Sequence, residues 1–277
     1  MISKRLIASL VYAIDRRMPR PRVGGRESGE AYSLWEYRVG KDILESHACR
    51  LGDLRGRHIL DVGCGLGGKT VAYAEAGARV TGVDISDENI AQCIAFARSR
   101  GAEADFIAAD AERLPFAAET FDTIIANDSL EHFANPEGAL RELARVLKPG
   151  GRIFLFFTPW GSPLGSHLYD YVRSPWCHLF FPEWLLAALI ERELARRGET
   201  DPLGRARRLM HEYRAELNRI TIRRYHRILQ ALPEVVRSFE DLKPPKFAWL
   251  APLARTPLIG ELFTGTVVGV LMKRHSP

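Results

Sequence analysis

From Arg57 to Gly68 the chain reads Arg-His-Ile-Leu-Asp-Val-Gly-Cys-Gly-Leu-Gly-Gly, and no other stretch leaves the fold so little choice. Its apolar residues carry a strand up to Asp61. Glycine at every second position then permits a sharp turn and close approach to a ligand, because no Cβ stands in the way. Lys69 to Ala76 continues as a helix. Strand, turn and helix in that order aim a helix N-terminus at the turn, where free N–H groups favour a carboxylate or phosphate. The spacing satisfies both Asp-x-Gly-x-Gly-x-Gly and Gly-x-Gly-x-x-Gly, so the stretch by itself is compatible with a dinucleotide site.

The same alternation continues downstream. Ala78 to Asp84 is a second short strand, and Ser86 caps a helix that runs through Arg100. Ala104 to Ala109 is a third strand ending at Asp110, and Phe121 to Asn127 a fourth. Pro136 to Leu147 is an amphipathic helix stopped by Lys148-Pro149-Gly150-Gly151, and Arg152 to Thr158 is an uninterrupted fifth strand, as expected of one covered on both faces. Upstream, residues 30–50 have helical spacing and belong to an N-terminal helical region over residues 1–50. Strands alternating with helices predict an α/β fold with a parallel sheet.

In such a sheet, ligands bind beyond the carboxyl ends of the strands. Asp61, Asp84 and Asp110 stand at three of those ends. Asp84 is placed to accept hydrogen bonds from two ribose hydroxyls, and Asp110, followed by Ala111, to meet an adenine amino group. The competing role for each acid is to cap the helix that follows it.

Five stretches in this order resemble class I S-adenosylmethionine-dependent methyltransferases. They are Ile59 to Gly67, Val83-Asp84, Ala109 to Phe116, Phe121-Asp122 through Asn127 to Glu131-His132-Phe133, and Leu147 to Gly151. The resemblance covers about residues 54–158 and resumes at Thr221. It implies a Rossmann-like seven-stranded sheet, mostly parallel with an antiparallel last strand, for which Thr264 to Leu271 is the candidate. It also implies S-adenosyl-L-methionine as cofactor and S-adenosyl-L-homocysteine as product. Gly63, Gly65 and Gly67, with Asp61 and Cys64 in the same turn, would receive the methionine part. Asp84 would hold the ribose, Ile85 would pack on the adenine ring that Asp110 and Ala111 meet, and Asn127 and Ser129 would border the sulfonium. The cofactor brings its own activation, so the protein's task is to align an acceptor and exclude water.

Residues 159–218 break the pattern and predict a helical insertion after strand five, with 51–158 and 219–277 forming the cofactor-binding domain. The insertion is dense in aromatic residues, either a lid over an apolar or ring-shaped acceptor or simply the core that folds the insertion. Tyr32 and Trp35 are candidates to close over the cofactor or to pack on that lid. His132, just after strand four, is the candidate general base for a hydroxyl acceptor, and His167 a weaker candidate in the insertion. The competing role for His132 and its neighbour Glu131 is to orient the loop or cap the next helix. His167 and His178 with Asp170 match no sharp metal motif, and no metal is expected.

Composition narrows the remaining classes. Four scattered cysteines show neither a disulfide framework nor paired ligand spacing, which favours a reducing, cytoplasmic compartment. A net charge of +5 without an RNA- or DNA-binding motif does not indicate nucleic acid. The basic leader, residues 1–26, is too short and charged to span a bilayer, and is either a peripheral anionic-lipid contact or a solvated or docked segment. Together these point to methyl transfer to a small-molecule acceptor, with a hydroxyl oxygen as the leading acceptor atom. The alternatives are carbon or nitrogen methylation and a non-catalytic nucleotide-binding scaffold of the same fold.

Overall fold

Residues whose apolar runs predict strands form a single seven-stranded sheet. The computed structural model describes residues 3–19, 29–244, 251–254, 256 and 259–275, so residues 1–2 and 20–26 of the basic leader lie outside the described residues. The strands are β1 (His58–Val62), β2 (Arg79–Asp84), β3 (Asp105–Ala108), β4 (Phe121–Asn127), β5 (Leu147–Phe157), β6 (Val235–Lys243) and β7 (Thr266–Lys273), in the order β3-β2-β1-β4-β5-β7-β6. The first five pair in parallel. Asp61 stands opposite Gly82 on one side and Ile125 on the other, and Asp84 opposite Ala108, so the carboxyl ends of β1 to β4 align along one rim. Gly265 N–H donates to the Lys243 carbonyl and Arg274 N–H to that of Glu234, which makes β7 antiparallel to β6. The chain order reverses direction between β1 and β4, and a ligand crevice belongs at that reversal.

One boundary differs from the sequence expectation. Lys148-Pro149-Gly150-Gly151 does not precede strand five but lies within it, because the pairing with β4 shifts register between Phe121 opposite Leu147 and Thr123 opposite Arg152. Gly150, at φ +75°, allows that irregularity.

The helices are α1 (Lys4–Asp15), α2 (Gly29–Ser46), α3 (Ala48–Leu51), α4 (Gly68–Glu75), α5 (Asp87–Arg100), α6 (Pro136–Val146), α7 (Cys177–Phe180), α8 (Glu183–Arg196), α9 (Pro202–Ala215), α10 (Ile222–Gln230) and α11 (Ala251–Ala254). The chain divides into two compact units. The sheet unit comprises residues 24–157, 223–241 and 268–277. On one face of its sheet, Ile59, Val80, Ile125, Phe154 and Val268 pack with Ile43 and Leu51 of the N-terminal helices. Helix α2 crosses α4 at Gly40, where a Cβ would meet Ala72 Cβ at 2.8 Å, so a larger residue would lift α2 off the turn-bearing helix.

The helical unit comprises residues 1–23, 158–222 and 242–267. Its core is built on Leu186, Leu189, Ile190, Ala206 and Met210, and Trp160, Tyr171, Phe181 and Trp184 pack against that core. These aromatic residues therefore serve the insertion's own folding. Helix α1 joins this unit: buried Asp15 accepts from the Arg173 and Ser174 backbone N–H groups and from Ser174 Oγ. Buried Glu193 accepts from Tyr12 OH, Arg196 and Arg197. Burial opposes the charge on Glu193, but these bonds outweigh it and hold its carboxyl far below the ordinary 4.5. A depressed carboxylate contributes stability above its unfolded value and loses it as pH falls. Glu193→Gln is therefore expected to cost about 2 kcal/mol near neutral pH. In thermal unfolding its deficit should shrink once pH drops below 4.5. A deficit independent of pH would contradict the ionised state.

Candidate cofactor site

The turn after β1 is defined by positive φ at Gly63 (69°), Gly65 (60°) and Gly67 (81°), a region that strains other residues. What crowds these glycines is the protein itself. A Cβ on Gly63 would meet Ser129 Cβ at 2.6 Å, and one on Gly65 would meet Glu36 Oε1 at 2.5 Å. The turn is thus seated between the end of β4 and α2.

Its backbone donors are all engaged. The N–H groups of Gly63 and Cys64 donate to the Val83 carbonyl at 2.8 and 3.0 Å, and that of Gly67 to the Cys64 carbonyl at 3.0 Å. Gly65 N–H donates to Asp84 Oδ2 at 3.0 Å. Leu66 and Gly68 N–H donate to Glu36 Oε2 at 3.1 and 3.2 Å, and Lys69 Nζ lies 3.3 Å from Glu36 Oε1. A side-chain carboxylate therefore occupies the start of α4, where a dinucleotide's pyrophosphate would bind. Glu36 and Lys69 carry this arrangement, and neither was singled out from the sequence. The only signal was a carboxylate on the aromatic-rich turn of α2, where Tyr32 and Trp35 stack with ring centroids 5.3 Å apart.

Around the turn stand carboxylates and unpartnered oxygens. Asp61 is fully buried; Thr70 Oγ1 donates to its Oδ2 at 2.6 Å, while Oδ1 has no partner. Burial raises its pKa to about 6, with Lys69 and Thr70 pulling the other way. Ser129 Oγ and Tyr73 OH are also buried without a partner. Lys69 keeps its proton well above the ordinary range: burial opposes the charge, but Glu36 and Asp61 outweigh it.

The other predicted residues fall along the same rim. Half-buried Asp84 accepts from Gly65 N–H at Oδ2 and from Ser86 N–H and Asn89 Nδ2 at Oδ1, so it both ties down the turn and caps α5; a lone-pair site is left on Oδ2 for one hydroxyl, and a second opens at Oδ1 when the Asn89 side chain turns away. Ile85 beside it is 75% exposed, an apolar side chain at a strand end with nothing over it. Ala111 is buried and Asp110 exposed, its Oδ1 accepting from Glu112 N–H. Asn127 is buried at the end of β4, its Nδ2 donating to Asp128 Oδ2 at 2.7 Å. His132 is exposed on a short 3₁₀ turn (Leu130–His132), close enough to act on the Asp128 charge.

The Cys64 thiol points into a buried cluster with Ile90, Cys93 and Phe106, its Sγ 3.9 Å from that of Cys93, so only the backbone of Cys64 belongs to the turn surface. His167 belongs to the helical unit, where its ring lies 6.1 Å from that of Tyr169. Among the described residues no group of three His, Cys, Asp or Glu side chains is arranged to hold a metal. A groove of about 600 Å³ opens at the opposite rim, lined by Arg79, Glu103 and Asp105 at the amino ends of β2 and β3.

The site fits an S-adenosyl nucleoside better than a phosphate ligand. The N–H groups from Gly63 to Gly68 are already bonded within the protein, which leaves the turn no free donor for a pyrophosphate, whereas carboxylates and unpaired oxygens suit hydroxyls and positive charge.

Comparison with known proteins agrees. Residues 60–155 match the family model described as methyltransferase domain. The chain is 35% identical over 130 residues to ubiquinone biosynthesis O-methyltransferase of Coxiella burnetii (strain RSA 493 / Nine Mile phase I), covering 47% of this chain and 55% of that protein. The chain thus spans about half the length of the curated relatives it matches. Among solved structures, magnesium protoporphyrin IX methyltransferase (ChlM) from Synechocystis, with S-adenosylhomocysteine bound, superposes at a TM-score of 0.53 with 15% identity, over 98% of this chain and 94% of that one. The [4+2]-cyclase SpnF superposes at 0.55 with 19% identity, over 98% and 93%. At such identities the superpositions establish the fold alone. Motifs, strand order and family match together make residues 60–155 of this chain a methyltransferase domain of the class I S-adenosylmethionine-dependent family.

Proposed function

We propose that this protein transfers a methyl group from S-adenosylmethionine to a small-molecule hydroxyl. The observation that carries the proposal is the glycine turn whose N–H groups are spent internally while carboxylates and unpartnered buried oxygens surround it. The bound cofactor supplies a methyl on a positively charged sulfur. Asp84 accepts the two ribose hydroxyls, one at the open site of Oδ2 and one at Oδ1 in place of Asn89 Nδ2; Ile85 covers one face of the adenine, and Asp110 with Ala111 meets its edge. The Gly63 carbonyl, with Asp61 behind it, receives the ammonium end, and Asn127 and Ser129 flank the sulfur. His132, exposed at the same rim, takes the proton from the acceptor hydroxyl. The helical insertion, residues 159–218, selects the acceptor. The O-methyltransferase name of the Coxiella relative supports oxygen as the acceptor atom.

The reaction is tested by incubating the protein with S-adenosylmethionine and a library of phenols, sugars, lipids and carboxylic acids, and following the gain of one methyl by mass spectrometry. His132→Ala is expected to lower turnover of a hydroxyl acceptor about a hundredfold and leave S-adenosylhomocysteine affinity unchanged. Full turnover in this variant would remove the base assignment. Asp84→Ala is expected to weaken S-adenosylhomocysteine binding about a hundredfold in calorimetry, and unchanged affinity would remove the ribose assignment.

The pH dependence follows from Asp61. An ammonium beside this carboxyl stabilises its ionised form, so binding releases a proton wherever free Asp61 is still protonated, around and below its pKa of about 6. Affinity for S-adenosylhomocysteine is therefore expected to rise roughly fivefold from about pH 5 to about pH 7, and the rise should vanish in Asp61→Asn. A flat wild-type profile would detach Asp61 from the cofactor.

A further inference from the structure

Helix α1 uses one side to fold the helical unit and leaves the opposite side apolar. Ala8 is buried in the unit's core, Val11 and Tyr12 pack against that core, and Asp15 is buried beside them. On the outer side Leu6, Leu10 and Ile14, spaced four residues apart, are 51%, 58% and 58% exposed. A surface helix ordinarily carries charge on that side.

The charges of α1 stand at its ends. Lys4 and Arg5 precede the stripe and Arg16 and Arg17 follow it, while Asp15, the helix's one acid, is turned inward onto Arg173 and Ser174. A second exposed apolar group adjoins the helix. Phe180 is 74% and Leu179 40% exposed on α7, and the Lys4 ammonium lies 5.4 Å from the ring of Trp184, which follows Phe180 by four residues in the first turn of α8. Glu183, the acid between them, is paired with Arg214 at 2.8 Å. The face is therefore apolar at its centre and basic at its margins, with its acids buried or neutralised.

We propose that α1, together with Phe180, is a docking face for an anionic lipid bilayer, with the helix lying in the plane of the interface. Leu6, Leu10, Ile14 and Phe180 enter the boundary between headgroups and acyl chains, and Lys4, Arg5 and Arg17 reach lipid phosphates along their flexible stems. Among the described residues no helix is long and apolar enough to cross a membrane, so this contact is peripheral. The charge pattern selects lipid over a second copy of the chain, because self-association through this face would set basic ends against basic ends. The proposal does not depend on the methyl-transfer reading.

The test is co-sedimentation of the full chain with phosphatidylcholine vesicles, with and without about one-third phosphatidylglycerol. Binding to the anionic vesicles is expected to exceed binding to the neutral ones at least about tenfold and to fall as salt is raised from about 0.1 M to about 0.5 M. Leu10→Glu with Ile14→Glu is expected to lower it at least about tenfold, with the melting temperature unchanged because both side chains are exposed. Should that double variant fold poorly, Arg17→Glu and Phe180→Ser, at other points of the face, are each expected to weaken binding about threefold or more. Equal sedimentation with and without phosphatidylglycerol, or variants that bind like the wild type, would overturn the proposal. So would light scattering that finds a wild-type dimer which the double variant dissociates, since the face would then belong to a second copy.

Discussion

The Glu36 carboxylate binds the N–H groups of Leu66 and Gly68 where the glycine turn enters α4. It reaches across from α2, a helix that precedes the glycine turn in sequence, and pairs with buried Lys69. Removing one partner of such a buried pair costs about 3–5 kcal/mol, because the other charge is left without compensation. The position of α2, the conformation of the turn and the charge the crevice will accept are therefore one problem with one solution. A helix N-terminus that elsewhere would invite phosphate is here already neutralised from within.

The sheet converts that local arrangement into a site. Parallel register places Asp61, Asp84 and Asn127 near the carboxyl ends of adjoining strands, and the reversal of strand order between β1 and β4 leaves room above them. Asp84 serves two ends at once. Its bonds to Gly65 and to the first turn of α5 fix its orientation before any ligand arrives, so little ordering remains when ribose binds. Capping and binding, which appeared as rival roles for this acid, are compatible because a carboxylate has more lone pairs than the cap consumes.

Periodicity and punctuation made the strand order's ingredients legible: apolar runs ending in Asp61, Asp84 and Asn127, glycines where φ turns positive, and Ser86 at a helix start whose Oγ accepts from Asn89 N–H. The partners of the turn were not legible, since Glu36 lies about thirty residues away and its role depends on how α2 crosses α4 at Gly40. The aromatic residues after Pro159 illustrate the same limit. Trp160, Tyr171, Phe181 and Trp184 pack on the insertion's core while Phe180 is left outside, a division set by the tertiary arrangement of α7 and α8 rather than by residue type. For α1 the inward position of Asp15 decides which apolar residues remain on the surface, and that depends on backbone groups more than 150 residues away.

A crystal structure of the protein soaked with S-adenosylhomocysteine tests the central claim most directly. The account requires nucleoside density along the carboxyl ends of β1, β2 and β4, with both ribose hydroxyls on Asp84 and the amino group on the Gly63 carbonyl while Glu36 keeps its bonds to Leu66 and Gly68. Density that displaces Glu36 from those N–H groups, or a crevice closed by the protein's own side chains with the nucleoside bound elsewhere, would contradict it.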